Sequence, residues 1–149
     1  MRLFRPLCAM LLLVAALTVT SCEKPAPLPQ EESIAVTYNT IAGCWQLSHL
    51  GGVPLSEQTH LYIEFDRKEH TFVMWDNLNS MYSVESTGTY TITREEDGSY
   101  TLSGTYDNGV GAWSNDYIVS LADEGNSMMW RASGETMEFQ RIDAIPELK

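Results

Sequence analysis

From Ile41 onward, apolar and polar side chains alternate in short runs, each ended by a cluster of turn-forming residues. Leu61, Ile63 and Phe65 alternate with His60, Tyr62 and Glu64, the period of a strand with one buried face. Tyr90 and Ile92 alternate with Thr89, Thr91 and Thr93. Tyr117, Val119 and Leu121 repeat the period, as do Met137, Phe139 and Arg141 against Glu138 and Gln140. β-branched and aromatic residues, which pack well on a pleated surface, dominate these runs. Turn chemistry separates them at Asp66-Arg67-Lys68-Glu69, Glu96-Asp97-Gly98, Asp107-Asn108-Gly109, Asp123-Glu124-Gly125-Asn126 and Ser133-Gly134. The pattern predicts eight strands, over 41–50, 60–66, 70–76, 86–93, 99–106, 113–121, 126–132 and 135–141, with 77–85 left unassigned. Residues 33–40 read as a transition, with room for a short turn or helix closing one end. Sequential hairpins in one small domain suit an eight-stranded antiparallel up-and-down barrel. A two-sheet β-sandwich is the alternative, because alternation does not say whether a sheet closes.

The first residues follow a different pattern. Arg2 and Arg5 precede an unbroken apolar run from Leu7 to Leu17, and Val19-Thr20-Ser21-Cys22 follows. A run of that length is too short to span a bilayer, and its flanks are those of a secretory signal. The last four residues resemble the lipobox of bacterial lipoproteins: an aliphatic residue, two small ones, then the cysteine that is acylated after cleavage. This resemblance implies a signal peptide over 1–21, lipidation at Cys22 and membrane attachment. Pro25, Pro27 and Pro29 then favour extended backbone and exclude a helix. Residues 22–40 are therefore expected to form a lipidated Pro/Glu-rich tether, 41–142 the barrel and 143–149 a C-terminal tail. Glu23 is not the aspartate that retains lipoproteins on the inner membrane of enteric bacteria, so the expected site is the outer membrane of a Gram-negative envelope.

Charge and cysteine content narrow the function classes. The chain carries 20 acidic and 9 basic side chains, a formal charge of −11. Two of the basic residues, Arg2 and Arg5, lie in the leader and none of the acidic ones do, so a cleaved chain is more acidic still. Such a balance opposes nucleic acid, whose phosphates require basic patches. Cys8 leaves with the leader and Cys22 is the lipid site, so Cys44 is alone and no intramolecular disulfide is expected. With no basic neighbour to stabilise a thiolate, Cys44 reads as a small inert hydrophobe.

Gly43-Cys44-Trp45 on the first strand is similar to the Gly-x-Trp signature of lipocalins, and Asn115-Asp116-Tyr117 is similar to their Thr-Asp-Tyr motif. Residues 41–142 resemble the lipocalin-like domains of bacterial lipoproteins. The resemblance implies that Trp45 closes one end of the barrel beside Gly43. Arg141, at the end of the last strand, would pack over it. It also implies that the long connection Gly51–Thr59 partly covers the mouth.

No catalytic residues can be assembled: there is no nucleophile elbow, phosphate loop, His-Glu-x-x-His or Cys-x-x-Cys. His49, His60 and His70 lack ligand spacing, so no metal and no cofactor are expected. The remaining signal is an interior of soft and aromatic side chains. Met74, Tyr90, Tyr106, Trp113, Tyr117, Met128, Trp130, Met137 and Phe139 are the candidates to face inward and contact a ligand. An eight-stranded barrel either holds one small ligand or fills itself with side chains. The expected function is thus non-catalytic binding of a small hydrophobic ligand. The alternative is a filled barrel that contacts another envelope protein or a glycan through exposed aromatics such as Trp75 or Tyr82.

Overall fold

A computed structural model describes residues 33–148. The leader, Cys22 and the prolines of the expected tether lie outside the described residues. A short helix α1 (Tyr38–Ile41) precedes strands β1 (Gly43–Leu50), β2 (Val53–Pro54), β3 (Leu61–Asp66), β4 (Thr71–Asp76) and β5 (Val84–Arg94). Strands β6 (Tyr100–Tyr106), β7 (Tyr117–Ala122), β8 (Ser127–Ala132) and β9 (Glu135–Ile142) complete the wall. Consecutive strands pair antiparallel, and β1 pairs with both β3 and β9, so the sheet closes. This is the eight-stranded barrel rather than the sandwich. Two-residue β2 adds a short ladder to the end of β1, within the long first loop.

The closed wall sorts side chains by parity. Trp45 and Leu47 on β1, Leu61, Ile63 and Phe65 on β3, and Phe72 and Met74 on β4 are buried. Tyr90, Leu102, Tyr117, Val119, Leu121, Met128, Trp130, Met137 and Phe139 continue the same core around the barrel. Every up-running strand begins at one end and every down-running strand at the other. One end therefore gathers α1 and the connections 67–70, 95–99 and 123–126. The other gathers the connections 51–60, 77–83, 107–116 and 133–134.

Two segments differ from the sequence reading. Residues 33–40 were grouped with the tether at 22–40 but also read as a turn or helix closing one end, and it is the second reading that they follow: they pack on the barrel. Ile34 bridges Leu121, Val36 is buried, and Tyr38 stacks on His70 at 3.7 Å. The reason is local: Thr37 caps α1 by accepting from the Thr40 amide at 3.1 Å, and this short turn drops Ile41 into the barrel end. The expected strand 113–121 begins only at Tyr117. Trp113 instead folds over Gly104, where a Cβ would lie 2.1 Å from the indole Cε2, and 114–116 leave the ladder. Only glycine allows a ring to lie that close to the neighbouring backbone.

Candidate functional site

The two barrel ends are built differently. At the first, the register places Trp45 on β1 directly opposite Arg141 on β9. Cross-strand partners on one face touch, and the guanidinium carbon lies 4.2 Å from the centroid of the Trp45 ring. Arg141 Nη2 donates to Thr40 O and Nη1 to Ala42 O, both at 2.7 Å, and Nε donates to Gly125 O at 3.0 Å. Trp45 Nε1 donates to Ile41 O at 2.8 Å. The side chains thus satisfy the last carbonyls of α1, which otherwise lack partners. Gly43 has φ of 101°, a conformation side chains rarely adopt, and a Cβ there would meet Arg141 Nη1 at 3.4 Å. Gly43, Trp45 and Arg141 form one closed end.

At the second end lies a cavity of about 200 Å3, lined by Leu61, Met74, Asp76, Leu78, Asn79, Tyr106, Trp113, Ser114, Tyr117, Trp130 and Met137. Six of the nine ligand candidates therefore border it: Met74, Tyr106, Trp113, Tyr117, Trp130 and Met137. The other three do not. Tyr90 is buried near the closed end, against Tyr38 and Phe65, with its hydroxyl donating to Asp66 O at 3.1 Å. Met128 and Phe139 are fully buried in the packed core. Parity assigned all three correctly to the interior. Position along the strand puts them too far from the mouth.

The aromatic wall of the cavity is continuous. Trp113 and Trp130 stack with centroids 5.2 Å apart, Tyr117 lies 5.1 Å from Trp130, and Phe72 5.0 Å from Trp113. The indole N–H groups of Trp113 and Trp130 are buried without a hydrogen-bond partner among the described residues. The closed end shows no such deficit at Trp45.

The polar groups at the mouth are acidic. Asp76 ends β4 in the same parity as Phe72 and Met74, and Glu135 begins β9 in parity with Met137 and Phe139. The sequence analysis named neither residue; their parity is the signal that identifies them. Glu135 Oε2 accepts from Tyr117 Oη and from Asn115 Nδ2, both at 3.0 Å. Burial and the Glu135 carboxylate push the Tyr117 hydroxyl up to about 12. Burial and the Asp76 charge push Tyr106 up as well. Both phenols therefore stay protonated at neutral pH.

Other chemistry is sparse. Among the described residues no group of His, Cys, Asp and Glu could hold a metal ion. His49 lies 3.6 Å from Glu138, His60 bonds Ser83 at 3.0 Å, and His70 stacks on Tyr38. Burial pushes the half-buried Cys44 thiol up, away from the reactive thiolate. Exposed large apolar side chains lie mostly at the mouth rim, with Ile118 exposed on β7. Leu50, Val53, Met81, Tyr82, Val84 and Val110 are exposed at the rim, Met81 at 90% and Tyr82 at 77%. Tyr82 and Trp75 also border an open groove on the outer wall beside Ile145–Leu148. No helix among the described residues is long and apolar enough to cross a membrane.

A family model described as a lipocalin-like domain matches residues 41–130. No curated protein and no solved structure matches the chain.

Proposed function

The chain belongs to the family of lipocalin-like domains, and on that footing we propose that it is a lipid-anchored envelope protein that binds a small, largely apolar ligand at its barrel mouth. Domains of this family are in general non-catalytic binding proteins. The observation that carries the reading is the mouth cavity of about 200 Å3, walled by Met74, Trp113, Tyr117, Trp130 and Met137. That volume is below the roughly 300–1,000 Å3 of sites for drug-sized ligands, so the occupant is about the size of one ring and a short chain. The test uses the tryptophans that form the wall. A neutral apolar probe such as 2-phenylethanol or a short-chain alkanol should change their emission saturably and raise the melting temperature. At 100 times its dissociation constant a ligand stabilises by about 2.7 kcal/mol. Met137→Glu should abolish both responses. A flat titration across a broad apolar panel, without a thermal shift, would overturn the reading.

Anchoring is the second part of the proposal, and it rests on Arg2, Arg5, the apolar run Leu7–Leu17 and Ser21-Cys22. Acyl chains contribute about 0.8 kcal/mol per buried CH2, so two or more hold a protein stably to a bilayer. Cys22→Ser should move the protein from the detergent phase to the aqueous phase. Equal partitioning of both proteins would remove the anchor from the proposal. Glu23 after the cysteine supports outer-membrane sorting, tested by density separation of the two membranes.

One observation favours a second reading, in which the protein contacts an envelope protein or glycan. The exposed apolar side chains gather on the mouth loops, with Met81 and Tyr82 on the same connection. Grouped exposed apolar residues mark interaction surfaces. Met81→Ser with Tyr82→Ser should then abolish partner capture while leaving probe binding in the cavity intact.

A further inference from the structure

The mouth combines three features that an apolar ligand alone does not need. First, two carboxylates stand at inward register positions. Asp76 lines the cavity itself, its Oδ1 accepting from the Leu78 amide at 3.1 Å, and Glu135 accepts from Asn115 and from Tyr117, which also lines it. Inward positions elsewhere on β4 and β9 hold Phe72, Met74, Met137 and Phe139, and at the closed end Arg141. An acidic side chain there is costly unless something compensates it.

Second, among the described residues nothing compensates it with charge. Among the described residues, the one ion pair within 4.0 Å joins His49 and Glu138. The mouth connections 51–60, 77–83, 107–116 and 133–134 contain no lysine or arginine, yet they carry Glu57, Asp107 and Asp116. Arg67, Lys68, Arg94 and Arg141 all lie at the closed end. The remaining arginine among the described residues, Arg131, is exposed on β8. Third, the cavity wall beside these carboxylates is aromatic, with Trp113, Trp130, Tyr106 and Tyr117 around it. Ring faces attract cations, tryptophan most strongly, and a desolvated site strengthens the attraction.

We propose that the mouth cavity of this barrel binds a small organic cation, a protonated or quaternary amine. Its charged head lies between the Asp76 carboxylate and the rings of Tyr106 and Tyr117. Its apolar portion packs on Met74, Met137 and Trp130. This inference rests on the mouth-binding reading above and names its ligand class. The net charge of −11 also favours cations, since a cleft lined by one sign concentrates the opposite one.

The experiment compares three probes of one shape on the full chain by isothermal titration calorimetry: 2-phenylethylamine, 2-phenylethanol and 3-phenylpropanoate. The amine should bind about tenfold or more tighter than the alcohol, because a bond to a charged partner contributes at least that factor. The carboxylate should bind weakest. Asp76→Asn should weaken the amine by about tenfold and leave the alcohol unchanged. Raising salt from about 50 to about 500 mM should weaken amine binding to the wild-type chain without affecting the alcohol, which keeps the test independent of variant folding. Equal binding of amine and alcohol, or amine binding untouched by both salt and Asp76→Asn, would overturn the cation inference and leave the mouth-binding reading standing. Failure of all three probes would overturn both.

Discussion

The closed end and the mouth are made from the same strands and the same residue types, yet they obey opposite rules. Each centres on tryptophan. At the closed end the indole of Trp45 donates to Ile41 O, the guanidinium of Arg141 covers it, and three carbonyls take up the guanidinium. At the mouth the indoles of Trp113 and Trp130 have no partner, and inward carboxylates have no cation. One end has its polar groups matched within the protein. The other leaves two indole donors unpartnered and two carboxylates without a cation among the described residues. A barrel end that is built for stability matches its polar groups internally, and an end that is built for recognition leaves them for a ligand.

The largest expected effect breaks the closed end. Trp45→Ala should destabilise by about 3–5 kcal/mol in urea denaturation, the usual cost of removing a fully packed aromatic. Trp113→Ala, bordering an existing cavity, should cost less. Arg141→Ala should be non-additive with Trp45→Ala, because the two side chains touch. Equal losses for both tryptophans, or strict additivity in the cycle, would dissolve the contrast between the ends.

A middle-sized effect sharpens it. Gly104→Ala puts a methyl group where the Trp113 indole lies, so the ring must leave the wall. The cost should be about 1–3 kcal/mol, as for other overpacked sites. The stacked Trp113–Trp130 pair should lose its near-ultraviolet dichroism. Retention of that signal would show that Trp113 does not depend on Gly104.

The smallest effect is a titration. Tyr90 at the closed end and Tyr117 at the mouth are both pushed up to about 12, chiefly by burial. An unfolded tyrosine titrates near about 10. The folded values are raised, so the stability they contribute is complete below about pH 10 and is lost as pH climbs toward about 12. Absorbance at alkaline pH should therefore show two late phenols. Glu135→Gln should bring Tyr117 down and leave Tyr90, whose other neighbours are Tyr38 and Asp66, where it is. A shift of both would mean that the two ends share one electrostatic environment.

The strand pattern was legible because alternation is a local property. Leu61, Ile63 and Phe65 face inward as their spacing implies, and Trp45 meets Arg141 because the register of β1 and β9 makes them opposite. What local spacing could not show was depth along the barrel, so Tyr90, Met128 and Phe139 were grouped with residues of the mouth. A closing turn or helix was expected over 33–40, but not the burial of Ile34, Val36 and Tyr38, which depends on Leu121 and His70 far along the chain. The break before Tyr117 was equally invisible, because it depends on a ring finding Gly104.

That break has a kinetic consequence. The β6–β7 ladder has three register pairs, against seven between β5 and β6, and the chain from Ser114 to Asp116 runs outside it beside the cavity. Backbone outside a ladder opens without sacrificing interstrand bonds, so amide hydrogens there should exchange with solvent well before those of β3, β4 or β9. The barrel thus has a seam in its side as well as an opening at its top. Amide exchange at 114–116 relative to β3, β4 and β9 measures how often this seam opens.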